Sequence, residues 1–220
     1  MNTVRVWDLP TRVFHWSLVL CVAALVTTAE IAGEAMRWHF RFGYTVLSLL
    51  MFRLVWGLIG GYWSRFRTFV VGPRTILQYL RGQAAPELSV GHNPLGALSV
   101  LGLLVCLFLQ AAAGLFSDDE IATSGPFVKL VSNDWVGIAT GYHTRYGKAA
   151  LIALVLLHVA AIVFYRVRQG QNLVRPMLVG DKEVALPVRP SRDDLMARIL
   201  ALVLFAFCAA GVLVLLQWVG

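Results

Sequence analysis

Charge is scarce in this chain. Only 14% of its 220 residues are Asp, Glu, Lys or Arg, about half the share of an ordinary soluble domain, and that excludes a water-soluble globule. Cysteine is scarce as well. Cys21, Cys106 and Cys208 fall in three different apolar runs, and no pair has the spacing of a metal site. They read as small apolar core residues. No internal repeat or low-complexity tract interrupts the chain. The basic residues form no face with readout elements, so nucleic acid is not an expected partner.

What the chain has in quantity is apolar sequence: 58% of residues are hydrophobic and the mean hydropathy is +0.70. Five runs are long enough to cross a bilayer: Leu9–Thr28, Phe40–Leu58, Leu95–Phe116, Tyr146–Val167 and Leu195–Val219. A span needs about 20 mostly apolar residues, with a range near 17–25. Arg5 and Arg12 precede the first run as in a signal peptide, but no small-x-small cleavage site follows, so a permanent helix is expected. Spanning segments must satisfy their own backbone hydrogen bonds, so a helical bundle follows. With the N-terminus in the cytoplasm, thirteen Lys and Arg fall in the inner segments and five in the outer ones. That is a positive-inside bias, and it puts the C-terminus on the periplasmic side. The outer link Ser117–Arg145 is long and carries Asp118, Asp119 and Glu120. The fifth run has no histidine and is expected to be peripheral, to contact a partner or to anchor the chain.

Four histidines lie in or at the edge of these runs: His15, His39, His143 and His158. Ionisable groups at membrane depth are costly and point to function. His143 and His158 are fifteen residues apart, roughly 22 Å along a helix and about 60° apart around it. Both can therefore face one interior, one near each leaflet. By depth, His15 pairs with His158 on the inner side and His39 with His143 on the outer side. Neutral imidazole is a good iron ligand and bundle cores commonly hold cofactors, so the pairs suit two haems. Structural hydrogen bonding is the alternative for each one. Without a C-x-x-C-H run, any haem is held non-covalently. Gly43 and Gly147 each follow an outer histidine by four residues, on the same helix face. They leave room for a porphyrin edge or for close helix packing. Arg12 and Arg53 on the inner side, and Arg41 and Arg145 on the outer side, can pair with haem propionates or snorkel to the interface. Trp7, Trp16, Trp38, Trp56 and Trp135 read as interfacial belt residues. Asn93-Pro94 predicts a helix start. His92 before it has either a local hydrogen-bonding role or a place in a quinone or proton site.

The segments Val6-Trp7-Asp8-Leu9-Pro10-Thr11-Arg12-Val13-Phe14-His15-Trp16, Phe52-Arg53-Leu54-Val55-Trp56-Gly57, Gly91-His92-Asn93-Pro94-Leu95-Gly96, Leu157-His158-Val159-Ala160 and Asn172-Leu173-Val174-Arg175 resemble the bacterial cytochrome b561 group, which includes the b-type cytochrome subunits of Ni,Fe-hydrogenases. The resemblance covers about residues 4–183. It implies an all-α membrane protein: a four-helix transmembrane bundle over 1–183 binding two b haems. Residues 184–220, a linker and a fifth C-terminal transmembrane helix by their apolar run, depart from that four-helix core. The resemblance also implies bis-histidine ligation by His15, His158, His39 and His143.

Three functions follow as expectations. The first is electron transfer across the bacterial inner membrane between a periplasmic redox partner, such as a c-type cytochrome or a hydrogenase-like subunit, and quinone. The second is a superoxide:quinone oxidoreductase that needs no protein donor. Against it, the outer segments carry five basic and six acidic residues, which gives little steering for an anion. The third is a non-redox membrane anchor whose histidines are structural.

Overall fold

The computed structural model describes residues 2–121 and 123–219. Helix α1 spans Leu9–Ile31 and α2 Met36–Ile59; α3 (Phe66–Phe69) and α4 (Pro73–Leu80) follow. Next come α5 (Pro94–Leu115), α6 (Asn133–Gly141), α7 (Lys148–Arg168), α8 (Val174–Val179) and α9 (Leu195–Val219). Two short strands, β1 (Asn2–Arg5) and β2 (Asp181–Val184), pair antiparallel, with Asn2 opposite Val184 and Arg5 opposite Asp181.

Polar side chains set the helix starts. Asp8 caps α1 by accepting the Thr11 N–H at 2.9 Å, with Pro10 in the first turn. Asn93 caps α5 through the Gly96 N–H at 2.7 Å, as Asn-Pro predicts. Asp194 caps α9 through the Ala197 N–H at 2.8 Å. In each case a short acceptor takes a donor that the helix cannot satisfy itself.

Five helices are long and apolar enough to cross a membrane: Leu9–Ile31, Gly33–Ile59, Pro94–Leu115, Asn133–Arg168 and Leu195–Val219. The chain is a multi-pass, mainly α-helical membrane protein. Four of the five predicted runs agree closely. The fourth does not, because the helix begins at Asn133, well before Tyr146. Ser132 caps it, accepting the Trp135 N–H at 3.5 Å, and α6 runs into α7 through a π-helical turn at Tyr142–Gly147. The polar run Tyr142–Lys148 hid this continuity, since it breaks the apolar pattern without breaking the helix. The strand pair is an addition to the expected architecture.

The chain divides into two compact units. The first takes the segment ending at His15, Phe52–Gly102 and Leu156–Leu204; the second takes Trp16–Met51, Leu103–Val155 and the segment from Phe205. The first unit has an apolar cluster of Val6, Trp7, Val90 and Val184, with Val4, Trp63, Met177 and Val188 packed on it. Beside it lies a buried polar network. Asp8, fully buried, accepts hydrogen bonds from Trp56 Nε1 at 3.1 Å and from Ser64 Oγ. Trp7, buried in the apolar cluster, and Trp56, bonded to Asp8, are thus core residues and not interfacial ones. The segment before α9 is tied in as well. Ser191 donates to Arg5 O and Val6 O, and Asp193 accepts from Leu9 N and Arg5. Gly180, at φ 92, receives the Val6 and Trp7 N–H groups on its carbonyl. A Cβ there would meet Trp7 O at 2.7 Å, so only glycine fits. The second unit is packed by Val46, Leu47, Leu49, Leu50, Leu107 and Leu151, all buried.

Candidate cofactor sites

In the second unit, α2 presents His39 and the π-helical turn presents His143. Their ring centroids are 6.0 Å apart and their planes stand at 87°. Each ring is fixed by a backbone carbonyl: His39 Nδ1 lies 3.0 Å from Leu25 O and His143 Nδ1 2.9 Å from Gln110 O. A carbonyl only accepts, so each Nδ1 carries the proton and each Nε2 keeps its lone pair. Metal-bound imidazoles show this same second hydrogen bond.

The π-helical turn is supported from α5. Its i→i+5 pattern disturbs the regular ladder, and the Gln110 amide donates to His143 O at 2.7 Å. Gln110 and His143 therefore hold each other reciprocally, with Gln110 O taking the ring and the Gln110 side chain serving the backbone.

Between these rings lies a cavity of about 210 Å³. Its walls include Val22, Leu25, Phe40, Val46, Leu47 and Leu107, and both histidines line it. Gly43 also lines it and has no heavy atom within 4 Å of its Cβ direction. Gly147 does not line it, and its Cβ direction is taken by Gln110 Oε1 and the Tyr142 ring. The glycine that makes room for the His143 ring is Gly114, where a Cβ would meet His143 Cε1 at 2.8 Å. Arg41 stacks over Trp38 at 4.8 Å, Arg145 is exposed, and neither lines the cavity. Lys148 does, as do Asp118 and Asp119 of the long loop.

The fit to a metal held between two imidazoles is close. Two imidazole–metal bonds of about 2.0–2.1 Å each leave about 2 Å of the observed 6.0 Å centroid separation for the two ring radii. The apolar walls suit a flat hydrophobic cofactor. The residues present fit a haem.

In the first unit, His15 on α1 and His158 on α7 come within electrostatic range of each other, and Ser99 Oγ lies 3.4 Å from His158 Nδ1. Arg12 donates to Leu178 O at 2.6 Å. Arg53 is 3% exposed and stacks over Phe66 at 4.8 Å. Arg12 Nε, Arg53 Nη1 and His92 Nδ1 are buried with no hydrogen-bond partner. Buried cationic donors without acceptors are costly and suit an incoming anion. His92 lies between Trp7 and Phe69, each 4.6 Å away by centroid. Burial pushes its pKa down to about 3, helped by Arg53, His15, His158 and Lys182. It has no local hydrogen bond at Nδ1, so its place is a stacked, neutral ring.

Gln110, Gly114 and Lys148 were not singled out from sequence. One signal was available: Gln110 and Lys148 are polar groups inside otherwise apolar spans, which is where function is expected.

Paired histidines on spanning helices around an apolar cavity define a membrane protein built to hold a planar cofactor. Residues 6–180 match the prokaryotic cytochrome b561 family, and the chain belongs to it. A relative named as a probable Ni/Fe-hydrogenase B-type cytochrome subunit from Bradyrhizobium diazoefficiens is 24% identical over 215 residues, covering 82% of this chain and 86% of the relative. A probable Ni/Fe-hydrogenase 1 B-type cytochrome subunit from Escherichia coli K12 is 25% identical over 208 residues, covering 80% and 88%. The Rhodobacter capsulatus protein of the first name is 23% identical over 219 residues, covering 82% of each. No solved structure matches the chain.

Proposed function

We propose that this chain is the b-type cytochrome subunit of a membrane redox complex and carries electrons between a redox protein outside the inner membrane and quinone. Haem b bound at the histidine pairs would supply reversible one-electron chemistry. The observation that carries the proposal is the His39–His143 pair, with both Nδ1 atoms committed to carbonyls and both rings on one apolar cavity.

The chain's residues divide the work. His39 and His143 present Nε2 lone pairs, and Leu25 O and Gln110 O hold the tautomers. The cavity walls exclude water. In the first unit His15 and His158 would hold the second haem, and the unpartnered nitrogens of Arg12 and Arg53 would take its carboxylates. His92 stays neutral at physiological pH and offers a hydrogen bond to a quinone oxygen without bringing charge. The thirteen-to-five bias of basic residues supports an orientation with the N-terminus in the cytoplasm and the C-terminus in the periplasm. The relatives' names favour a hydrogenase-like subunit as partner; a c-type cytochrome is the other candidate.

A reduced-minus-oxidised spectrum of the purified chain tests this. Two b-haem equivalents per chain are expected. A spectrum without b-haem bands ends the proposal and leaves the anchor role.

A further inference from the structure

The cavity of the second unit has one lysine or arginine on its walls among the described residues, and it is Lys148 rather than Arg41 or Arg145. Lys148 opens α7, five residues past His143 and within the spanning stretch Asn133–Arg168. At that end of α7 its side chain is 42% exposed, and an ammonium on a cavity wall there finds a counter-charge. Its partner is Glu30 at the end of α1, with Nζ 2.5 Å from Oε1. Glu30 is not on the cavity wall and is 63% exposed, so this ion pair contributes little by itself. The same cavity wall carries the hydroxyl-bearing residues Tyr44, Thr140 and Thr144. Asp118 and Asp119 share the wall with Lys148, so a carboxylate-bearing ligand finds its one positive group among the described wall residues at Lys148 and is repelled from the two acids.

We propose that Lys148 is the counter-charge for a carboxylate of the cofactor seated between His39 and His143, with Glu30 holding it when that cofactor is absent. The inference rests on the haem reading above. It assigns Lys148 as a positioning residue, since it acts on the cofactor's edge and not on its iron.

The test uses the full-length chain, expressed under haem limitation and reconstituted with haem b or with its dimethyl ester, in which both carboxylates are blocked. His39→Ala identifies the spectral component of this site by removing it. Wild type is expected to bind the ester there about tenfold more weakly than haem b, the scale of one charge-assisted hydrogen bond. Lys148→Gln should lose that discrimination, Lys148→Arg should keep it, and Glu30→Gln should keep it while breaking the ion pair. A second readout needs no reconstitution. The rate of haem loss from holoprotein to excess apomyoglobin should rise about tenfold in Lys148→Gln and stay unchanged in Lys148→Arg. If haem binds at this site and the haem-to-ester ratio in Lys148→Gln equals that of wild type, Lys148 has no such role and the haem reading survives. If Glu30→Gln loses the discrimination as fully as Lys148→Gln, the ion pair is only a helix clamp and the assignment fails. If no haem binds at His39 and His143 in wild type, both fall together.

Discussion

The two histidine pairs sit in surroundings of opposite character. The pair in the second unit has geometry ready to accept a metal: rings fixed by carbonyls, apolar walls and an open volume. The pair in the first unit is surrounded by charge and by stacked aromatics, with Arg12, Arg53 and His92 each leaving a buried nitrogen unpartnered. A site can thus be prepared by fixing its ligands, or by storing unsatisfied donors that an incoming anion relieves. The second route costs stability in the empty protein and returns it on binding.

Breaking this contrast gives the largest effects. His143→Ala should abolish the haem of the second unit and leave that of the first, read as loss of one of two b-haem components in a redox titration. Asp8→Ala should act only on the first unit. It removes the acceptor for Trp56 Nε1, Ser64 Oγ and the Thr11 N–H, at a cost of about 3–5 kcal/mol, seen as a lower midpoint for thermal loss of helical signal in detergent. Equal loss of both haems in Asp8→Ala, with the fold retained, would remove the contrast.

Acid sharpens it. His92 is neutral in the fold down to about pH 3, while an unfolded histidine takes a proton near pH 6.5. Between those values the unfolded state holds more protons, so stability falls as pH falls. The slope is about 1.4 kcal/mol per pH unit from this group. His92→Gln should flatten that part of the stability–pH curve between pH 6.5 and 3, whatever it costs at pH 7. An unchanged slope would mean that His92 titrates normally. At the small end, Asp194→Asn should leave haem content and midpoint unaltered. Its pair with Arg192 is exposed and such pairs contribute little; Asn retains a cap acceptor for Ala197.

Much of the architecture was legible because apolar length and helix caps are local properties. Asn93-Pro94 marked the start of α5 and Leu195–Val219 was found to the residue. The histidines stood out for the same reason, as ionisable groups in apolar sequence. What escaped was set by contacts distant in sequence. The helical stretch from Asn133 and the π-helical turn at Tyr142–Gly147 escaped, because that turn is supported by α5 through Gln110. Trp7 and Trp56 looked interfacial because the residues that bury them come from other segments. Gly147 looked like space and Gly114 did not, since which Cβ direction is open depends on the neighbouring helix.

The antiparallel pairing of β1 with β2, and the ties from Ser191 and Asp193 to Arg5, Val6 and Leu9, have a consequence for biogenesis. The residues of β1 and the start of α1 are completed by residues made about 180 positions later. Until then the Leu9 N–H is without its Asp193 acceptor and Arg5 without its carboxylates. Assembly of that end is therefore post-translational, slow relative to helix insertion, and it is the interval in which quality-control proteases have their best access to the chain.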